Sequence, residues 1–242
     1  MKASLMIYKN SFVAFLKQIS QDYMLFAAVF APLLAGMFIR FGVPFAEELL
    51  IMQFHRSTVL SPYYKMIDLL LSMVTPLMAG FISAMVMLGE KDDCIISYLA
   101  VTPLGKKGYL ISRLLIPSLF AAVIGFVICI LFQISTLSPW TLAIISIFTT
   151  ALGGIICLFI VSMSSNKVEG MAIGKLSGIV LLGVFVPFFF HSWVQYIAVI
   201  LPSYSIGKYV TTGEGKWLVT GGFLTLFWFI LLYRRFIKHS FY

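Results

Sequence analysis

Long apolar runs, separated by short charged connections, constrain this chain more than any other feature. A helix that crosses the hydrocarbon core of a bilayer needs roughly 20 predominantly apolar residues. Six stretches meet or approach that length: residues 23–42, 66–88, 114–133, 140–163, 171–190 and 217–233. Hydrophobic residues make up 61% of the 242 residues, which is more than a soluble fold of this size could bury. We therefore predict an all-α integral membrane protein, with six transmembrane helices in a single transmembrane domain, 1–242.

The distribution of charge predicts how the helices are oriented. The net charge is +8, and the basic residues lie between apolar runs, which is typical of membrane anchoring and excludes a nucleic-acid-binding patch. Cytoplasmic loops of membrane proteins carry an excess of Lys and Arg. Most of the 17 basic residues fall on one side if both termini are cytoplasmic, and the connection 134–139 then lies outside without any charge. Both termini are therefore expected in the cytoplasm.

Two segments outside the spans have their own patterns. In residues 1–20 an apolar stripe and a basic face predict an amphipathic helix in the membrane interface, with a poorly structured basic leader as the alternative. The stripe comprises Leu5, Phe12, Phe15, Leu16 and Ile19, and the basic face comprises Lys2, Lys9 and Lys17. In residues 191–215 an apolar piece, 193–201, is closed by Pro202 and is too short to span, which predicts a re-entrant or interfacial segment before the last span.

A few polar residues inside or beside the spans allow more than one interpretation. Asp68 is either a group that responds to protons or substrate or the partner of Lys65 in an i,i+3 pair. An intramembrane hydrolase could use paired glutamates and histidines to activate water, but we expect the glutamates to lie in a connection between spans. The candidates for such a site are Glu47, Glu48, His55 and His191. Cys94, Cys129 and Cys157 show no spacing typical of a metal site, so none is predicted.

The cytoplasmic connection 89–113 carries the most information about function. It reads GEKDDCIISYLAVTPLGKKGYLISR. Four charges, 90–93, open it directly after a span, a short amphipathic run, 95–101, follows, and Thr102-Pro103 breaks that run. A short helix between a charge cluster and a proline break is suited to docking on a soluble partner, whereas a plain hairpin between spans needs neither.

This loop resembles the corresponding loop of type-2 ABC permeases, the membrane subunits of ATP-binding-cassette exporters. An acidic-basic patch led by glutamate, an apolar turn, a Thr-Pro pair and a basic residue entering the third span are all present. The matching positions are Glu90, Leu99, Thr102, Pro103, Leu104, Tyr109 and Arg113-Leu114-Leu115. Asp93-Cys94 stands where the family often has Gly-Thr. The interfacial helix, six spans and the segment before the last span extend the resemblance to nearly the whole chain.

The resemblance implies a division of labour between subunits. A cytoplasmic coupling helix between spans 2 and 3 would dock on a separate ABC ATPase, which would bind ATP and magnesium, and a second permease protomer would complete the transporter. The implied ATPase-coupling residues are Glu90, Lys91, Asp92, Asp93, Tyr98, Leu99, Thr102, Pro103, Lys106, Lys107 and Arg113. The implied outer gate comprises Trp193, Tyr196, Pro202 and Tyr204.

The predominantly apolar spans indicate an amphipathic or hydrophobic cargo, such as a drug, a lipid-like molecule or a peptide antibiotic. The resemblance implies that the membrane is the plasma membrane of a prokaryote. A phosphate-binding loop reads GxxxxGK followed by Ser or Thr, and Gly174-Lys175 is followed by Leu176. We therefore expect a transport subunit that is not an enzyme and binds no cofactor of its own. A non-transporting membrane scaffold remains the alternative.

Overall fold

The computed structural model describes residues 2–55, 57–96, 98, 102, 105–190 and 193–240. Within these residues all regular structure is helical. Six helices are long and apolar enough to cross a membrane, with mean hydropathies between 1.5 and 2.8. The prediction of an all-α membrane protein with six spans is thereby confirmed in its helix content and number of candidate spans.

The helices follow one another with short connections. The spans are α2 (Tyr23–Phe54), α3 (Ser61–Asp92), α4 (Gly105–Phe132), α5 (Pro139–Met163), α6 (Lys167–Phe189) and α9 (Lys216–Ser240). The remaining helices are α1 (Lys2–Gln21), α7 (Val194–Ala198) and α8 (Pro202–Thr212). Each predicted span overlaps one of the six long helices.

Helices α3 and α5 form the centre of the bundle. In each of them 67% of the most apolar 18-residue stretch is buried, against 17–33% in the other spans. Their backbones touch at two glycines: a Cβ on Gly153 would lie 2.3 Å from the carbonyl oxygen of Pro76, and one on Gly80 would lie 2.2 Å from that of Gly153. Small residues allow such close approach in membranes, so these two spans pack as one unit.

Helix α2 extends further than the apolar pattern suggested. Glu47 and Glu48 lie within its last part, Val43–Phe54, so the prediction that they lie in a connection is wrong. The predicted span, 23–42, stops two residues before Pro44, and proline lacks an N–H and clashes with the carbonyl four residues earlier. A π-helical turn, Phe38–Gly42, precedes Pro44 and lets the helix continue. A second π-helical turn, Ile111–Leu115, precedes Pro117 in α4 in the same way.

The N-terminal segment is helical from Lys2 to Gln21, so a poorly structured leader is excluded for these residues. Phe15 and Ile19 are buried against the bundle, and the ring of Phe12 stacks on that of Phe120 at 5.4 Å between centroids. Val13 and Leu16 remain exposed. Part of the apolar stripe of α1 therefore packs on the bundle, and part of it remains exposed. The position of α1 in a membrane interface stays a prediction.

The segment before the last span folds into α7 and α8. Helix α8 has 11 residues, too few to cross a bilayer, and it packs closely on the second half of α6. A Cβ on Gly183 would lie 2.9 Å from the backbone nitrogen of Tyr204, and the hydroxyl of Ser203 donates to the carbonyl of Val180. The contact fixes α8 on α6, while a re-entrant path through the membrane stays a prediction.

Candidate functional site

Glu90 and Arg113 form a buried ion pair at the two ends of the loop between α3 and α4. Each residue is 2% exposed. The Nε of Arg113 donates to both carboxylate oxygens of Glu90 at 3.0 Å, and its Nη2 lies 2.5 Å from Oε1. Charge-assisted contacts of this forked kind are the strong and directional ones. The pair therefore fixes the end of α3 to the beginning of α4.

Helix α1 completes the environment of this pair. The Nη1 of Arg113 donates to the carbonyl oxygen of Ser11 at 2.7 Å, and the amide nitrogen of Gln18 donates to Glu90 Oε1 at 3.1 Å. The guanidinium also lies 5.6 Å from the centroid of the Phe15 ring, within cation–π distance. These contacts satisfy much of the hydrogen-bonding capacity of two charges removed from water, and they join three helices at one point.

The ion pair has a mechanical consequence for the loop. Residues 93–104 leave α3 three residues after Glu90 and enter α4 before Arg113. The pair joins the last turn of α3 to the first part of α4, so the two helices cannot separate there without uncovering two charges, which is costly. The two spans are therefore held together at this end.

A second ionic contact lies beside the first. Lys167, at the start of α6, donates to Asp22 Oδ2 at 2.6 Å, and Asp22 caps α2 by accepting from the backbone nitrogens of Met24 and Leu25 at 3.0 and 3.2 Å. The hydrogen bond from Lys167 lowers the pKa of Asp22, with the two capping bonds acting in the same direction. The backbone nitrogen of Lys167 also donates to Asp92 at 2.9 Å, so the starts of α2 and α6 are tied to the end of α3.

The structure places most of the predicted coupling residues around these contacts. Lys91 is partly buried, and its Nζ donates to the carbonyl of Ser164 at 3.4 Å. Apart from Lys91 and the buried pair Glu90–Arg113, the described members of the set are exposed: Asp92, Asp93, Tyr98, Thr102, Lys106 and Lys107. Tyr98 is the most prominent, with 71% of its surface accessible. Leu99 and Pro103 lie outside the described residues, and the docking role of the whole set stays a prediction.

The predicted outer gate contains a small polar cluster that the sequence did not reveal. Tyr204 is buried beside Pro202, and its hydroxyl donates to Gln195 Oε1 at 3.2 Å, as does the Nζ of Lys208 at 2.9 Å. Trp193 is 67% exposed, and Tyr196 lies within α7. Gln195 was missed because a lone glutamine nine residues before a tyrosine has no recognisable spacing.

Asp68 is held by a loop and not by Lys65. Its carboxylate accepts from the backbone nitrogens of Ile134 and Ser135 at 3.0 and 2.7 Å. Arg40 donates to the carbonyl of Gln133 at 3.0 Å, which secures the same α4–α5 connection. No Lys65–Asp68 ion pair is present among the described residues, so that expected pairing is wrong.

The residues considered for an intramembrane hydrolase do not form a site in the described part of the chain. Glu47 is buried, and its carboxylate accepts from the backbone nitrogen of Val59 and the hydroxyl of Ser61, both at 2.9 Å. It thus caps the start of α3, while Glu48 and His55 are exposed. His191 lies outside the described residues. In the part of the chain that the structure describes, no three His, Cys, Asp or Glu residues are grouped to hold a metal.

These features define a class: a polytopic helical membrane protein, with spans joined near one end by buried charges under an exposed loop. A model of the family "Fluoroquinolones export permease protein Rv2686c-like" matches residues 15–233. The chain belongs to this family of export permeases. Membership indicates a transport subunit and not a catalytic enzyme. A search of curated proteins found no significant match.

Proposed function

We propose that this chain is the membrane subunit of a type-2 ABC exporter. It moves an amphipathic drug, with fluoroquinolones as the first candidates because the family name gives them, across a prokaryotic plasma membrane. A separate ABC ATPase binds ATP and magnesium and docks on the cytoplasmic loop between α3 and α4. Both termini lie in the cytoplasm. The family match and the loop motif support this proposal together.

The buried ion pair beneath the loop is the observation that carries the coupling mechanism. An ATPase that hydrolyses ATP outside the membrane can move the spans only if the loop on which it docks is rigidly attached to them. The exposed Tyr98 offers the docking surface, and Glu90 and Arg113 transfer its movement to α3 and α4. Charges around the loop, Asp93, Lys106 and Lys107, set the choice of ATPase more than the strength of binding.

A second protomer is proposed on the basis of exposed apolar surface. Only 22% of the most apolar stretch of α2 is buried within the chain, and large side chains such as Phe30, Leu34 and Phe38 are exposed along it. Lipid or a second permease chain, identical or related, covers this surface in the membrane. In the proposed dimer the drug passes close to the contact between protomers.

The test uses two exposed aromatic side chains on opposite sides of the proposed membrane. Tyr98→Ala removes an exposed side chain of the loop, and Trp140→Ala at the start of α5 is the matched control, since both residues are largely exposed. Each tagged chain is purified from its native membranes after crosslinking in cells, and co-purifying proteins are identified by mass spectrometry. We expect a stoichiometric P-loop ATPase with the wild type and the control, and much less with Tyr98→Ala.

Drug transport is measured in the same cells. We expect lower accumulation of a fluoroquinolone when the chain and its ATPase are expressed together, and no effect when the phosphate-binding lysine of the ATPase is replaced. If no ATPase co-purifies even after crosslinking, and accumulation is unchanged, the exporter proposal is refuted. The non-transporting scaffold then becomes the better account.

A further inference from the structure

A long groove lies between α4, α5 and α9, away from the ion pair. Its volume is about 460 Å³, and its lining is almost entirely apolar, with Gly154 at its floor and Phe229 and Tyr233 along one wall. The rings of Phe229 and Tyr233 are parallel, 6.3 Å apart. On α4 the groove extends from Leu110 to Leu119, which is about 14 Å at the rise of an α-helix.

The groove ends beside a group of cations. Helix α4 begins with Lys106 and Lys107, and α9 continues from Tyr233 into Arg234, Arg235 and Lys238; all five are exposed. Ile111 lines the groove. Lys107 lies four residues before it and so lies near the face of α4 that borders the groove. Residues 105–119 and 225–240 contain no Asp or Glu. Arg113 pairs with Glu90 and is not part of this group.

We propose that this groove binds one acyl chain of an anionic phospholipid, whose phosphate lies between the cationic start of α4 and the cationic end of α9. The groove supplies apolar walls along a chain-like length, and the cations supply the charge that an anionic headgroup requires. A zwitterionic lipid of the same chain length fits the groove but lacks net charge for the cations. The groove itself lies among the spans, whereas the cations at its end include Lys106 and Lys107 of the predicted docking loop. Lipid binding by the chain alone does not depend on the proposed transport function.

The site is tested by the thermal unfolding of the full chain in detergent. Dioleoyl phosphatidylglycerol should raise the unfolding midpoint by about 3 °C more than dioleoyl phosphatidylcholine, since a ligand that binds the folded state stabilises it. Gly154→Leu fills the groove and should abolish the difference. A Cβ at Gly154 meets only Phe229, at 3.9 Å, so the new side chain is accommodated.

Two further variants make the test specific. Gly222→Leu is the matched control: a Cβ there meets only Phe148, at 4.0 Å, and Gly222 does not line the groove, so the lipid effect should remain. Replacing both Lys106 and Lys107 by glutamine should remove most of the preference for phosphatidylglycerol and leave the effect of phosphatidylcholine unchanged.

Several results would overturn the proposal. Equal stabilisation by the two lipids would show that no headgroup is recognised, and a full effect in Gly154→Leu would place the lipid elsewhere. Soluble glycerol phosphate that reproduces the shift would show an anion site without a chain. A fluoroquinolone that stabilises the wild type but not Gly154→Leu, in the absence of any lipid preference, would assign the groove to the drug. Concentration-dependent dimerisation lost in Gly154→Leu, again without lipid preference, would assign it to a second copy of the chain.

Discussion

Replacing Glu90 by glutamine removes one charge from the buried pair and keeps the size of the side chain. Arg113 would retain its bond to the carbonyl of Ser11 and its position over Phe15, but it would lose the carboxylate with which it forms an ion pair. A buried pair that loses one partner leaves an uncompensated charge, at a cost of about 3–5 kcal/mol. We expect Glu90→Gln to lower the free energy of unfolding by an amount in this range.

The partly exposed ion pair between Asp22 and Lys167 provides an internal control for the effect of losing a buried pair. Its side chains are 25% and 34% exposed, and such pairs contribute about 1 kcal/mol or less. Asparagine caps a helix as well as aspartate does, so Asp22→Asn removes the ion pair and leaves the cap of α2 in place. Its effect on the free energy of unfolding should therefore be several-fold smaller than that of Glu90→Gln.

Equilibrium unfolding in mixed micelles, driven by increasing SDS and followed by circular dichroism, measures both variants. The double variant Glu90→Gln/Arg113→Met should recover much of the stability lost by Glu90→Gln alone, because it leaves no unpaired charge. The reasoning is refuted if Glu90→Gln costs no more than Asp22→Asn. It is also refuted if the effects of the two changes at 90 and 113 simply add.

Two further predictions concern single carboxylates. Because the hydrogen bond from Lys167 lowers the pKa of Asp22 below 3.8, its stabilising effect is complete above the unfolded pKa and is lost as pH falls through the folded one. The difference in thermal midpoint between wild type and Asp22→Asn should thus be constant from about pH 7 to pH 5 and shrink below about pH 4; a difference that grows on acidification contradicts this. Asp68→Asn keeps one oxygen to accept from two backbone N–H groups, so it should cost about 1–2 kcal/mol and leave the pH dependence of transport unchanged. Loss of transport at unaltered stability would instead support a proton- or substrate-responsive Asp68.

Hydropathy was sufficient to predict the six spans, because a helix in lipid has to be apolar over nearly its whole length. The end of α2 was missed for a physical reason: Pro44 and the two glutamates after it look like a connection when only local sequence is considered. Glu47 is accommodated in a helix because the backbone at Val59 and the hydroxyl of Ser61 satisfy its carboxylate. That compensation comes from residues more than ten positions away.

The candidate site was predicted in part. Glu90 and Arg113 were both identified from the loop motif, but their pairing across 23 positions follows no helical spacing and cannot be read from the sequence. The same holds for Asp68, whose partners Ile134 and Ser135 lie in another connection. Periodicity predicts which residues share a helix face, whereas contacts between helices depend on how the spans are arranged around α3 and α5.

The π-helical turn before Pro117 sets how the two parts of α4 are oriented relative to each other. A π turn contains one more residue than an α turn, so the part of α4 before Ile111 is rotated by about 100° from the register of an uninterrupted α-helix. Arg113 lies within this turn and is buried. Deleting one residue from Ile111–Leu115 should restore an α register and turn Lys106, Lys107 and Tyr109 to another side of the helix. A chain with an uninterrupted α-helix here would need one residue fewer in this stretch to keep both parts of α4 in their present orientation.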